Sequence, residues 1–236
     1  MSAISPNPKI PPDQVRTRAQ LLEAAAEIFA THGFHTATVR DICLRAGANI
    51  AAVHYHFGDK QGLYTEVLRH AYRHAYEKYP PNLGVTDGAP AAERLAAFVR
   101  SFLLRLFAKG PLAWHGRLMA REMIEPTTAL DALVREQIRP TAQELSGIVR
   151  ELLGRGADEE LVRLSGMSVV SQCLFYHHCR PVISRLFPKQ KYDEADIDEL
   201  AAHITKFSLA SLQQLATKIK PTPAKKPVRR ISSSRR

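Results

Sequence analysis

Cysteines and long apolar runs are scarce in this sequence. Its 236 residues include only three cysteines, Cys43, Cys173 and Cys179, and no two of them form a CxxC pair. This odd number and this spacing argue against a disulfide framework and against a four-cysteine zinc site. No apolar run is long enough to span a bilayer, and the first residues lack the basic and apolar segments of a signal peptide. We therefore expect a cytoplasmic protein that does not contact a membrane.

Short motifs that mark common catalytic sites are also missing. The sequence contains no P-loop, no GxSxG elbow and no HExxH motif. The glycine turn at residues 154–156 follows no predicted strand, so it is expected to join two helices. These absences argue against an enzyme, and we expect no cofactor.

One cluster of possible metal ligands lies late in the chain. Cys173 and His177 are four residues apart and share a helix face, and a thiolate with an imidazole suits zinc. His178, however, points about 100° away from His177 on a helix. One helix cannot present these side chains and Cys179 together, so the spacing favours packing over a metal site.

Basic charge is concentrated at one end of the chain. The formal net charge is +10, but eight basic residues and no acidic residue lie from Lys218 onward, so the rest of the chain carries only +2. Residues 220–236 and the proline-rich residues 1–12 have little to bury and are predicted to be disordered. A flexible basic tail could hold DNA independently of sequence, or it could serve only solubility.

Apolar spacing predicts an all-α protein. Apolar residues recur at spacings of three and four, as at Leu63, Val67 and Leu68, and no stretch alternates convincingly at period two. Glycine and proline breaks divide the chain into about nine helices, four before Pro80 and five longer ones after it.

A segment rich in proline and glycine at residues 80–90 is the expected domain boundary. It separates a first domain at residues 13–79 from a second at residues 90–219, although a long helix packing across the boundary would blur the division. Pro140 and Pro181 are expected to kink or interrupt two of the later helices.

Residues 38–60 read as two short helices joined by a tight turn. Thr38 followed by Asp41 fits a capping box, and Gly47 suits the left-handed residue that ends a helix. Asn49 is a good N-cap for a second helix. This arrangement predicts a helix-turn-helix, within an N-terminal three-helix DNA-binding domain.

The second of these helices has an outward side that fits the DNA major groove. Ala51, His54 and Tyr55 combine a small residue with hydrogen-bonding groups, as close approach to base edges requires. Arg40 and Lys60 each lie in the first turn of a helix, where a cation opposes the helix dipole, so a DNA phosphate would explain them. A plain helical corner with solvated surface charges remains the alternative.

The chain resembles the TetR family of transcriptional repressors over residues 18–68. The segments LLEAAAEIFATHGF, TVRDI and AGANIAAVHYHFGDKQGLY carry this resemblance. The form NIAAVHYHFG resembles the CecR-type subgroup more specifically, and RLMAREMIEPTTALD and QCLFYHHCRPVI extend this similarity into the second half.

The resemblance implies a role for each residue of the predicted DNA-contacting surface. Those implied to face phosphates are Thr38, Arg40, His56 and Lys60, and those implied to face the major groove are Asn49, Ile50, Ala51, His54 and Tyr55. The family more often has tyrosine at the position of His54 and a polar residue at that of Ile50, so its base preference does not transfer. The helical wheel also allows Ile50 to be a core residue.

For the second half, the resemblance implies a five-helix domain that encloses an effector pocket and dimerises through its last two long helices. A pocket for a small apolar or aromatic compound is lined by aromatic side chains and a few polar groups. The candidates are Phe102, Phe107, Trp114, His115, Met119, Arg121, Glu122, Phe175 and Tyr176. Arg121 and Glu122 are the most notable, because a charge beside an apolar stripe needs a partner. Each candidate could instead be ordinary helix-bundle core.

The predicted function is thus a homodimeric repressor that a small-molecule effector releases from a palindromic operator in double-stranded DNA. One alternative is a regulator without such an effector, whose second half binds a protein or no ligand and which acts as an activator or a constitutive repressor. Another is a DNA-architectural protein led by the basic tail.

Overall fold

The computed structural model describes residues 12–219, whose regular elements are all helices and which contain no β-strand. The α-helices are α1 (Pro12–Thr36), α2 (Val39–Ala46), α3 (Ile50–Phe57), α4 (Lys60–Lys78), α5 (Ala91–Leu106), α6 (Ala113–Ile124), α7 (Ala129–Leu133), α8 (Arg139–Leu153), α9 (Glu159–His178), α10 (Arg180–Leu186) and α11 (Glu194–Ala216). A 3-10 turn (Gly110–Leu112) precedes α6, and a π-helical turn (Val134–Ile138) joins α7 to α8. The all-α prediction and the four helices before Pro80 are confirmed.

Short segments account for the larger number of helices after Pro80. Pro140 lies in the first turn of α8, directly after the π-helical turn, and Pro181 lies in the first turn of α10. A proline fits there because the first turn has no carbonyl partner for its missing N–H. The predicted disordered segments, residues 1–12 and 220–236, fall outside the described residues except for Pro12, where α1 begins.

Two apolar cores organise the described part of the chain. The first is built mainly from α1 to α4, with large fully buried side chains such as Phe29, Ile42 and Leu63. The second is built from α5, α8, α9, α10 and α11. Leu118 of α6 and Ala129 of α7 follow the 80–90 segment in sequence but belong to the first core. Helices of the second half therefore help to enclose the first core.

No helix within residues 12–219 is both long enough and apolar enough to cross a lipid bilayer.

Candidate nucleic-acid interface and effector region

Local hydrogen bonds fix both ends of α2 and the start of α3. The Thr38 hydroxyl accepts from the Asp41 N–H at 3.1 Å and donates to the Asp41 carboxylate at 2.6 Å. Gly47 has φ of 63°, a left-handed conformation that glycine adopts without strain. Asn49 Oδ1 then accepts from the Ala52 N–H at 2.9 Å. The predicted caps are thus in place, and they orient α3 relative to α2.

Helix α3 buries one side and exposes the other. Val53 is fully buried against the first core, whereas Ala51, His54 and Tyr55 are exposed. Ile50 is 49% exposed, so it lies on the outward side rather than in the core. An outward side that carries small, apolar and hydrogen-bonding groups is what major-groove recognition requires.

His54 and Tyr55 are each held by a contact within the protein. The His54 Nδ1 atom lies 2.8 Å from the Gly58 carbonyl oxygen, which can only accept, so Nδ1 carries the proton. In the neutral ring Nε2 is then an acceptor. The Tyr55 hydroxyl donates to Gln14 Oε1 at 3.3 Å. Both side chains are therefore oriented before DNA arrives.

The four residues predicted to face phosphates differ in their surroundings. Thr38 and Arg40 are exposed, while His56 is half-buried against the rings of Tyr55 and Phe57. The Lys60 ammonium donates to the His35 carbonyl at 3.3 Å and lies 4.6 Å from the centre of the Phe34 ring. Partial burial lowers the pKa of Lys60. Lys60 thus has partners inside the protein that already offset the unfavourable helix dipole.

The structure distributes the predicted effector-binding residues over several places. Phe107 belongs to the second core, where it contacts His177 of α9, and Phe102 packs against that core. His115 packs instead against the rings of Tyr72 and Tyr76 of α4. Trp114 packs against the first core and lines a pocket of about 710 Å³ together with Tyr55 and His56. Met119 is half-buried on α6. Within residues 12–219, none of the four best-defined pockets is lined by more than one of these side chains.

The two predicted residues from α9 also lie apart from the others. Phe175 is 56% exposed, and Tyr176 lines a separate pocket of about 480 Å³ beside α11. Which of the predicted residues contact DNA or an effector stays a prediction.

Arg121 and Glu122, at the end of α6, bind to the DNA-binding half. Arg121 donates through Nε to the Ala30 carbonyl at 3.2 Å and through Nη2 to the Thr31 carbonyl, both near the end of α1. Glu122 is 1% exposed, and its carboxylate accepts from the Tyr64 hydroxyl on α4 at 2.7 Å.

The Glu122 carboxylate has further donors close by. Thr127 contributes its N–H at 3.0 Å and its hydroxyl at 3.1 Å. Burial, followed by the hydrogen bond to Glu122, raises the pKa of Tyr64, so this hydroxyl stays protonated. The Glu122 carboxylate therefore has a hydrogen-bond partner, Tyr64, which belongs to the first core.

Sequence reasoning missed Arg105, which is 1% exposed on α5. Its guanidinium lies 4.0 Å from the Tyr76 ring centre, and Nη1 donates to the Tyr79 carbonyl at 2.7 Å. The signal was available, because Arg105 follows the aromatic residues Phe98 and Phe102 at spacings of seven and three. It therefore continues the apolar stripe of α5.

The possible metal ligands of α9 differ in their exposure to solvent. Cys173 is 1% exposed, and burial raises the pKa of its thiol to about 12, so it stays protonated at neutral pH. His178 is exposed. Within residues 12–219 no three His, Cys, Asp or Glu side chains are grouped so that they could hold a metal ion.

Comparison with known families assigns both halves of the chain. Residues 21–67 match the bacterial regulatory proteins of the TetR family. Residues 91–212, which are more than half of the chain, match the C-terminal domain of the HTH-type transcriptional dual regulator CecR.

Individual relatives and solved structures span most of the chain. The HTH-type transcriptional repressor NicS of Pseudomonas putida is 23% identical over 209 residues, covering 84% of this chain and 93% of that protein. The dual regulator CecR of Shigella flexneri is 26% identical over 184 residues, covering 72% and 79%. The structure of FadR from Bacillus subtilis in complex with stearoyl-CoA has a TM-score of 0.60 at 20% identity, covering 81% of this chain and 95% of that chain.

The fold and the exposed helix α3 define a DNA-binding transcriptional regulator of the helix-turn-helix class. The chain belongs to the TetR family, with a C-terminal domain of the CecR type. The resemblance found in the sequence is confirmed. Members of this family are regulators rather than enzymes, so the expectation that the chain is not an enzyme is confirmed as well.

Proposed function

We propose that the chain is a homodimeric repressor that binds a palindromic operator and is released by a small-molecule effector. The observation that carries this proposal is the position of α6. At one end, His115 and Gly116 of α6 lie against α4, α5 and α9. At the other end, Arg121 and Glu122 bond to α1 and α4. A change in the second core would therefore reach the DNA-binding helices through one rigid element.

Dimerisation is supported by apolar side chains on α9 and α11. Leu164, Met167, Phe175 and Phe207 are each about half exposed. The two helices lie side by side, since Gln172 Nε2 donates to the Ser208 hydroxyl at 3.1 Å. Several large apolar side chains exposed on two neighbouring helices are costly in water and are typical of an interface. A second copy of the chain is the occupant that a two-fold regulator requires.

Operator recognition is proposed to follow from this symmetry. A two-fold dimer would set two α3 helices about 34–36 Å apart, one turn of B-DNA, and so would read a palindrome. The Nε2 acceptor of neutral His54 fits the amino group of adenine or cytosine in the major groove. Thr38, Arg40, His56 and Lys60 would hold the phosphate backbone on either side.

An effector can release the operator if it binds one dimer geometry more tightly than the other. Allosteric couplings of this kind are typically about 1–3 kcal/mol. The FadR structure that shares this fold holds stearoyl-CoA, which supports a small-molecule effector here. NicS is named a repressor and CecR a dual regulator, and repression is the sign that we propose.

Footprinting on the DNA upstream of the chain's own gene tests the proposal. Wild type, a His54→Ala, Tyr55→Ala double variant and a matched Arg155→Ala control, which removes an exposed cation far from α3, are compared at moderate salt. We expect a short palindromic footprint with wild type and the control, and none with the double variant. Thermal melting of all three proteins checks that the double variant is folded.

Other outcomes select the alternatives. Diffuse protection that survives the double substitution would contradict specific recognition by α3 and favour an architectural protein led by the basic tail. A specific footprint that no compound of a small-molecule screen releases would favour a regulator without such an effector, either an activator or a protein-controlled repressor.

A further inference from the structure

The Arg105 guanidinium is buried with part of its hydrogen-bonding capacity unused. Nη1 donates to the Tyr79 carbonyl at 2.7 Å and to the Ser101 hydroxyl. Nη2 is buried and has no partner. Within residues 12–219, Arg105 also forms no salt bridge with any carboxylate. The Glu144 carboxylate acts on Arg105 from a distance without forming a salt bridge to it. A buried cation with an idle donor costs free energy, so a group that accepted from Nη2 would be stabilising.

Aromatic rings hold this guanidinium in one orientation. Its central carbon lies 4.0 Å from the Tyr76 ring centre on α4 and 5.7 Å from the Phe102 ring centre on α5. Cation–π contact offsets part of the desolvation cost but leaves the in-plane N–H donors free. Burial lowers the pKa of Arg105, yet a guanidinium remains charged at neutral pH. The fold thus presents a fixed positive charge.

Two histidines of this region provide polar groups without a second charge, and one of them, His115, lies close enough to Arg105 for the guanidinium to lower its pKa. His115 is 8% exposed, and burial, aided by the charges of Arg105 and His177, lowers its pKa to about 3. His177 Nδ1 is buried without a partner, and burial lowers the pKa of this ring to about 4. Both rings are therefore neutral near pH 7, and His177 has a ring nitrogen to offer.

A surface cleft lies beside His177. His177 lines a pocket of about 690 Å³ between α6 and the α9–α10 corner, together with Met123 and Arg180. Gly116 of α6 packs close to this histidine, since a Cβ atom there would stand 3.4 Å from His177 Nε2. A small molecule in this cleft would contact His177. To reach Arg105, which is 1% exposed, it would have to displace the side chains that cover the guanidinium.

We propose that the effector is a small monocarboxylic acid whose carboxylate is bound by Arg105. This inference rests on the proposed function, in which an effector binds the second core. One guanidinium with one free nitrogen, near the neutral imidazole of His115, matches a single negative charge rather than a dianion such as phosphate. The rings of Tyr76 and Phe102, which contact the guanidinium, suit an aromatic or acyl body.

The test uses the full-length protein in buffer of low chloride with simple probes. Benzoate and hexanoate are compared with their neutral amides, benzamide and hexanamide, and with inorganic phosphate. We expect the carboxylates to raise the melting temperature of wild type and to bind at least tenfold more tightly than the amides or phosphate, as measured by calorimetry.

Substitutions assign that binding to Arg105. Arg105→Met is expected to lose the preference for carboxylates and to melt at or above the temperature of wild type, because an apolar side chain replaces an unpaired buried charge. Arg105→Lys keeps a charge and serves if the methionine variant does not fold; it is expected to weaken carboxylate binding at least fivefold. Arg180→Gln, which removes the cation in the outer cleft, is the matched control and is expected to retain tight binding.

Three results would overturn the inference. They are equal binding of acids and amides, carboxylate binding that survives at Arg105→Met or Arg105→Lys, and carboxylate binding lost only in Arg180→Gln. Failure of the proposed function itself is visible separately, as loss of the palindromic footprint or as an operator that no compound releases. A neutral compound that releases the operator would leave the function standing and overturn the carboxylate assignment alone.

Discussion

At the scale of single residues, buried polar side chains explain how the two halves of the molecule are tied together. The Glu122 carboxylate is 1% exposed and depends on donors from Tyr64 and Thr127. A buried carboxylate that loses a donor cannot replace it with water. The stability of the junction between α4 and α6 therefore depends on individual hydroxyl and amide groups.

Removing the Tyr64 hydroxyl tests this dependence. Tyr64→Phe leaves Glu122 with one donor fewer and is expected to lower the free energy of unfolding by about 1–3 kcal/mol. The matched control is Tyr55→Phe, which removes a hydroxyl from a side chain that is 72% exposed and should change stability by less than about 0.5 kcal/mol. Urea unfolding at equilibrium measures both, and equal effects would contradict the account.

Protonation of His115 supplies a second test at this scale. Its pKa falls from 6.5 to about 3 in the folded chain, chiefly through burial. Between those values the unfolded chain binds a proton that the folded chain does not, so stability is full above the unfolded pKa and falls as pH drops below it. This one group contributes a slope of up to about 1.4 kcal/mol per pH unit.

Urea unfolding between about pH 6 and pH 4 measures this slope. His115→Phe should flatten it by the contribution of one proton, while His177, whose pKa is also lowered, continues to contribute. His203→Ala removes an exposed histidine and should leave the slope as in wild type. An unchanged slope in His115→Phe would show that the ring is not neutral when folded.

At the scale of elements, glycines set the geometry of the DNA-binding half. Gly47 has φ of 63° with open space around it, whereas Gly33 has φ of 82° and faces the Arg121 guanidinium. Gly147 lies inside α8 with helical backbone and open space. Alanine should therefore have opposite effects at these positions.

Alanine substitutions at the three glycines form a matched series. Gly47→Ala should destabilise by about 1–2 kcal/mol, because a Cβ atom is unfavourable in the left-handed region. Gly33→Ala should cost more, since its Cβ would also stand 2.8 Å from Arg121 Nη1. Gly147→Ala should stabilise by about 0.5–1 kcal/mol through helix propensity. Thermal unfolding ranks the three variants, and any other order would contradict this reading.

Some contacts of these elements could be predicted from the sequence, and others could not. The caps at Thr38, Gly47 and Asn49 were predictable, because each is satisfied within three to five residues of the chain. The sequence predicted that the Glu122 charge needs a partner. Its donor Tyr64 is 58 positions away, however, so the contact with the first core could not be derived. The missing partner of Arg105 Nη2 could not be predicted either, because it depends on which helices surround α5.

For the whole molecule, the exposed apolar side chains on α9 and α11 predict where two copies of the chain pack together. Phe207→Glu places a charge where a second copy is proposed to pack, and burying that charge would be costly. We expect this variant to be monomeric in sedimentation equilibrium and to bind the operator at least tenfold more weakly. Val134→Glu, at an exposed apolar residue on the π-helical turn, should remain dimeric. A dimeric Phe207→Glu protein would place the interface elsewhere.

We propose that one dimer binds two operator half-sites through its two copies of α3. The most direct measurement is a titration of the footprinted duplex, with stoichiometry from native mass spectrometry and affinity from fluorescence anisotropy. The account predicts two chains per duplex and a loss of at least tenfold in affinity when either half-site is scrambled. One chain per duplex, or undiminished affinity for a single half-site, would contradict it.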